Sequence, residues 1–250
     1  MTDPASLAAI LLTFLLAGTV KGIVGLGLPT VSLGLLVTFF DLPAAMALML
    51  VPSVATNLWQ AFAGGHAAAV AKRLWPFLLP AAATVPIGAL ALTRVDLAYL
   101  SALLGLLMAL YGGIGLSGLR LSVPRASEAW AGPLTGAING ILTGLTGSFA
   151  VPGVMYLQAI GLPRDQLIQA MGMLFSVSTL ALALSLGGSR LLSAELGLIS
   201  LAGLVPALAG MAIGQRIRRR LDERTFRLLL FGALIILGVT ILVRSIASAT

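Results

Sequence analysis

Residues 20–29 read "VKGIVGLGLP". A lysine, three glycines and a proline interrupt a run that is otherwise apolar. Outward from this stretch the chain stays apolar in both directions. Of its 250 residues, 59% are hydrophobic and only 9% are charged. A soluble domain carries about 25% charged residues, so lipid must be the main solvent here. Runs such as "LISLAGLVPALAGMAI" (198–213) are continuously apolar and lack the period of two that a barrel strand needs. The class is an all-α polytopic membrane protein. In hydrocarbon, irregular backbone survives only inside protein or against a wet cavity. The interruption at 20–29 therefore faces the protein interior.

Cysteine is absent, which excludes disulfides, thiolate metal sites and cysteine relays. The net charge of +7 does not point to nucleic acid. Six of the fifteen Lys/Arg crowd residues 216–227, as expected of a cytoplasmic loop under the positive-inside rule. The start, "MTDPASLAAILL", has no basic region before its apolar run, so the first helix is expected to remain in the mature protein.

The first half reads as a helix over Ala5–Val20, a broken stretch from Lys21 to Pro29, and a short segment Val31–Phe40. Full spans then run from "DLP" (41–43) to about Ala63, over Leu74–Leu92, and over Leu97–Leu119. A second copy of this plan starts near Pro133. "GAINGILTGLTGSFAVPGVMYL" is again apolar, glycine-broken and followed by a short piece. "GLPRDQ" then parallels "DLPAAM", and full spans follow at Gln166–Leu186, Leu191–Ile213 and Phe226–Val243. The offset is near 120 residues and sets Thr56 against Ser176. The halves are 1–125 and 126–250, within one membrane domain.

A helix over Ala5–Val20 extends about 24 Å and one over Val31–Phe40 about 15 Å. Neither covers a ~30 Å core, so each broken pair reads as a re-entrant hairpin. Charge placement agrees. With Lys72, Arg73, Arg120, Arg125, Arg164 and the 216–227 segment inside, only Arg94, Arg190 and Arg244 lie outside. Arg125 and Arg164 then share a face, so Pro133–Ile160 must return to its own side. Each half becomes a re-entrant pair plus three full transmembrane helices. The two halves form inverted repeats, with both termini outside.

Helices that end at such breaks aim their termini inward, and an N-terminus suits an anion. Converging tips near the midplane are a recurrent site layout in transporters. Glycine spacing has a second reading, close helix packing, through Gly18/Gly22 and Gly136/Gly140. Lys21 is the one charge expected deep in a span, facing the site or snorkelling to an interface. Asn139 stands at the comparable place in the second copy. Gly22, Gly25, Gly27, Gly144, Thr146, Gly147 and Ser148 line the breaks, with Thr56, Asn57 and Ser176 nearby. His66 reads as a loop histidine or a proton carrier. No carboxylate cluster, P-loop or metal set is present, so neither an enzyme nor a cofactor is expected.

The paired segments "GTVKGIVGLGLPTVSLGLL…DLPAAMALMLVPSVATN" and "GAINGILTGLTGSFAVPGVMYLQAIGLPRDQLIQAMGMLFSVST" resemble those of the TauE/SafE sulfite-exporter family, also called the toluene-sulfonate uptake permeases. The resemblance covers essentially the whole chain. It implies a transporter of a small anion, sulfite or an organosulfonate such as sulfoacetate, in a bacterial inner membrane, with the lipid bilayer and that anion as partners. A homodimer is compatible with it. Two glycine positions depart from the family pattern: "GLGLP" lacks a third adjacent glycine, and Ser-Phe stands in "GLTGSFAVP" where members often carry more glycine. The expected mechanism is alternating access, one inverted repeat moving against the other. An anion channel or facilitator, or an uptake permease for a small carboxylate, stays open.

Overall fold

The structure is a computed structural model that describes residues 3–25, 27–119, 121–189, 191–218 and 223–249. Leu26, Arg120, Arg190 and the 219–222 part of the basic segment lie outside the described residues. The expectations placed on them are therefore not addressed structurally.

All regular structure among the described residues is helical. In chain order it comprises α1 (Pro4–Val24), α2 (Leu28–Leu36), α3 (Leu42–Phe62), α4 (Ala67–Ala83), α5 (Val85–Ala89), α6 (Leu97–Ser117), α7 (Glu128–Thr146), α8 (Met155–Ala159), α9 (Arg164–Gly188), α10 (Ala194–Ile217) and α11 (Glu223–Ala249). A kinked π-helical piece, Ala150–Val154, precedes α8. Among the described residues, seven stretches are long and apolar enough to cross a membrane, with α4, α5 and the turn to Thr93 counting as one.

One expectation is corrected here. α1 does not stop at Val20. It runs on through Lys21 and Gly22 to Val24, 21 residues in all, or about 31 Å. It is itself one of the seven candidate spans, so the length argument for a re-entrant first hairpin falls. The break shrinks to residues 25–27. The reason is tertiary: Gly22 is a poor helix former, but its missing side chain lets α10 come close.

The chain gathers into two compact units, each drawn from both sequence halves. The first holds residues Met1–Pro52, Val95–Gly118 and Leu191–Thr250. In it, α1 and α10 run in the same direction along a double line of glycines. A Cβ on Gly18 would overlap the Ala207 carbonyl, and one on Gly22 the Met211 carbonyl. Reciprocally, Gly210 and Gly214 lie against the carbonyls of Leu15 and Thr19. Such small-residue stripes let backbones approach where lipid supplies no hydrophobic drive. α6 and α11 pack with opposite sense: Gly105 meets Gly238 and Leu242, while Gly112 meets Phe231 and Ile235. Gly238 in turn meets Gly105 and Ala109, so this contact mirrors itself.

The second unit holds Ser53–Arg94 and Leu119–Arg190. Here α7 runs alongside α4 and α5 in the same direction. Gly136, Gly140 and Gly144 lie on the carbonyls of Phe77, Ala81 and Val85, and Gly88 lies on that of Ile141. Thr84 Oγ1 donates to the Ala137 carbonyl at 2.8 Å across the same seam. The C-terminal half of α3 is clasped to α9. Gln60 Nε2 donates to the Ile168 carbonyl (2.8 Å), and Gln169 accepts from the His66 N–H (3.0 Å). His66 is thus a turn residue at the start of α4.

Candidate functional site

Each half of the chain turns at a tip built by one device. At the first tip α1 ends on Gly25, whose φ of 79° is left-handed. Its N–H donates to the Lys21 carbonyl at 2.7 Å. At the second, α7 ends on Gly147 with φ 72°, and its N–H donates to the Thr143 carbonyl at 2.7 Å. This is the αL cap, which glycine forms without the Cβ penalty. Both amides are engaged by the caps, so the free donors of each tip lie elsewhere.

Beyond the first cap, Gly27 (φ 105°) opens α2, with Pro29 in its first turn. Proline fits there because it lacks an N–H that would have no helical acceptor. Lys21, one turn before the cap, is 3% exposed. Neighbouring Gly22 packs on α10, so Lys21 is held on a helix pinned by backbone contact.

The second tip is rougher. Thr143 Oγ1 donates to the Ser148 carbonyl (3.1 Å), and the Ser148 N–H donates to Thr146 Oγ1 (3.2 Å). The Asn139 carbonyl oxygen accepts from the Gly153 N–H at 2.9 Å. Asn139 thereby clamps the returning strand of the hairpin, and its Nδ2 is buried without a hydrogen-bond partner. Val151 has non-helical φ/ψ, so no clean helix start faces this tip. Lys21 and Thr143 each stand four residues before their cap glycine, and Asn139 stands one turn further back.

The base of the second hairpin is tied on one side. The Val123 N–H donates to the Ala159 carbonyl at 2.9 Å, joining the approach to α7 with the end of α8. Arg73 makes a two-pronged ion pair with Glu128 (2.6 and 3.0 Å) and also donates to the Ile160 carbonyl at 3.1 Å. Segment 123–160 therefore leaves and returns at the same place.

Of the remaining sequence-selected residues, Lys21, Gly22, Gly25 and Gly27 belong to the first unit. Thr56, Asn57, Asn139, Gly144, Thr146, Gly147, Ser148 and Ser176 belong to the second. Thr56, Asn57 and Ser176 are buried there, with the Ser176 hydroxyl donating to the Gly172 carbonyl of its own helix. Gly22 and Gly144 occupy equivalent helix contacts. Sequence reading placed Thr143 on the second break; it missed the Arg73–Glu128 clamp and the matched spacing of Lys21 and Thr143 before the two caps. The repeated spacing G-x-x-x-G-x-x-G, at 18–25 and 140–147, was the available signal for the latter.

The family described as sulfite exporter TauE/SafE matches residues 10–241. Comparison with curated proteins and with solved structures returned no match. With its seven candidate spans, the chain belongs to the sulfite exporter TauE/SafE family and is a multi-pass membrane transporter rather than an enzyme.

Proposed function

We propose that the protein exports a small oxyanion, sulfite or an organosulfonate such as sulfoacetate, by alternating access. The observation that carries this is Lys21, a cation 3% exposed in the last turn of a membrane helix. An ammonium group buried in protein inside a membrane helix is costly, and such groups mark ion paths. The first turn of α2, opening at Gly27, adds N–H donors and the positive end of a helix dipole.

The inverted-repeat reading, with halves 1–125 and 126–250, draws support from three packings. Gly18 on Ala207 has its counterpart in Gly140 on Ala81. Gly22 on Met211 has its counterpart in Gly144 on Val85. The self-mirrored, opposite-sense contact of α6 with α11 is what a two-fold axis in the membrane plane produces. In orientation, Trp75 and Trp130 stand exposed beside the Arg73–Glu128 clamp, as residues of an aromatic belt do. With Lys72, Arg125 and Arg164 near that end, the positive-inside rule favours a cytoplasmic side for it and both termini outside. Tags on the two termini that label from opposite faces would overturn this placement.

The decisive measurement is anion uptake into proteoliposomes with sulfite, sulfoacetate, taurine and short carboxylates. Saturable flux of sulfite or a sulfonate is expected. Preference for a carboxylate would make the protein a carboxylate permease, and unit conductances in a planar bilayer would make it a channel.

A further inference from the structure

The chain passes between its two compact units after Pro52, Arg94, Gly118 and Arg190. Three of these passages fall between helices. The passage after Pro52 falls inside one, because α3 continues from Leu42 to Phe62. Proline has no N–H, so at residue 52 it cannot bond the Leu48 carbonyl one turn back. That carbonyl is instead met by a side chain from another helix: Ser200 Oγ, on α10, donates to the Leu48 oxygen at 2.7 Å. The same oxygen atom of Ser200 accepts the Val51 N–H at 3.1 Å. One hydroxyl thus pairs the Leu48 carbonyl that Pro52 leaves open and also receives the nearby Val51 N–H, and Ser200 is 1% exposed. Sharp helix bends occur at prolines and where a side chain enters the ladder; α3 has both at one point.

We propose that α3 is jointed at Pro52, with Ser200 satisfying the backbone groups the joint exposes, and that bending there accompanies the transport cycle. Each side of the joint is anchored within its own unit. The Leu48–Val51 turn is held to α10 by Ser200. The far end of α3 is held to α9 by Gln60 on the Ile168 carbonyl and by Gln169 on the Ala61 carbonyl (3.3 Å). Gly172 also lets α9 press against the backbone at Ala61. Ser53, the first residue past the joint, has a buried hydroxyl without a hydrogen-bond partner. Such a group gains a partner if the helix changes its bend.

Only the use made of the bend rests on the transporter reading. The bend itself is testable without a substrate. The chain has no cysteine, so spin labels can be placed on Phe39→Cys and Phe62→Cys, exposed sites flanking α3. Pulsed EPR distances in proteoliposomes are expected to show two populations in the parent protein. Pro52→Ala restores the N–H that Leu48 lacks and should collapse them to one. In unlabelled protein the same change should slow sulfite uptake at least about ten-fold, leaving the apparent affinity within about three-fold and the melting temperature no lower. Ser200→Ala should also slow uptake, and Ser200→Thr, which keeps the hydroxyl, should restore it. This pair decides the matter if Pro52→Ala does not fold. A single narrow distance in the parent, two populations that persist in Pro52→Ala, or parental rates in Pro52→Ala and Ser200→Ala would each overturn the joint. If the parent carries no anion while the distances behave as expected, the function reading fails and the joint stands.

Discussion

The two tips share a frame and differ in what it carries. Both use G-x-x-x-G-x-x-G, at residues 18–25 and 140–147. In each, the first two glycines press a helix onto a neighbouring backbone and the third caps it in the left-handed region. The residue just before the middle glycine then differs: Lys21 in one, Thr143 in the other. The chain beyond the cap differs too. The first tip leads through Gly27 and Pro29 into a regular nine-residue α2. The second passes through a kink at Val151 into a five-residue α8. The glycines thus fix geometry, and the chemistry sits in the positions they leave variable. The two tips share their packing glycines, and only the first carries a lysine beside them.

The strongest test of that comparison is on the shared frame. Gly22→Leu and Gly144→Leu should both abolish monodisperse protein in detergent, because each new side chain meets backbone that cannot move aside. Overpacking of a tight contact costs roughly 1–3 kcal/mol and more when nothing can shift. If one variant folds normally, the frames are not equivalent.

The next test separates the tips. Lys21→Met, close in volume and without charge, should lower sulfite uptake by at least about ten-fold. Thr143→Val loses only the hydrogen bond to Ser148, worth about 1 kcal/mol, and should leave transport within a few-fold. Equal losses in the two variants would mean that charge is not what distinguishes the first tip.

A smaller effect concerns the hairpin base. Arg73→Ala removes the bonds to Glu128 and Ile160 in a partly exposed setting. A destabilisation on the order of 1 kcal/mol is expected, with faster hydrogen exchange at Val123 and Ile160. Unchanged exchange there would count against a clamped second hairpin.

The smallest effect is at the helix starts. Asp3 caps α1 by accepting from the Ser6 N–H at 3.0 Å, and the Ser6 hydrogen bonds hold its carboxyl below the usual range. A lowered folded pKa gives stability that is present above the unfolded value of about 3.9 and lost as pH falls through the folded one. Ser127, at the start of α7, makes no such side-chain bond. Acidification below about pH 4 should therefore fray the start of α1 in the parent protein more than in Asp3→Ala, where the cap is already lost, read by amide exchange relative to neutral pH. Equal fraying would remove Asp3 from the account.

Some of this was legible before any coordinates. Composition forced a lipid-facing helical bundle, and the span centres fell where the apolar runs predicted. "DLP" did start α3, with Asp41 accepting from the Ala44 N–H at 2.8 Å. The second hairpin's return was legible because Arg125 and Arg164 bracket it. Boundaries near glycine were not legible. Gly22 reads as a breaker because propensity is local, yet it stays helical because α10 leaves no room for a side chain.

By itself the sequence determined the solvent, the repeated glycine spacing at 18–25 and 140–147, and the lysine beside the first of the two. These follow from residue chemistry and spacing, which need no partner. Only the tertiary structure decided which glycines pack and which cap, that Lys21 and Thr143 each stand four residues before a cap, and that Ser200 bridges α3 beside Pro52. The packing and the bridge depend on segments far away in the chain, brought to hydrogen-bonding or backbone-contact distance by the fold, and local sequence carries no record of that distance.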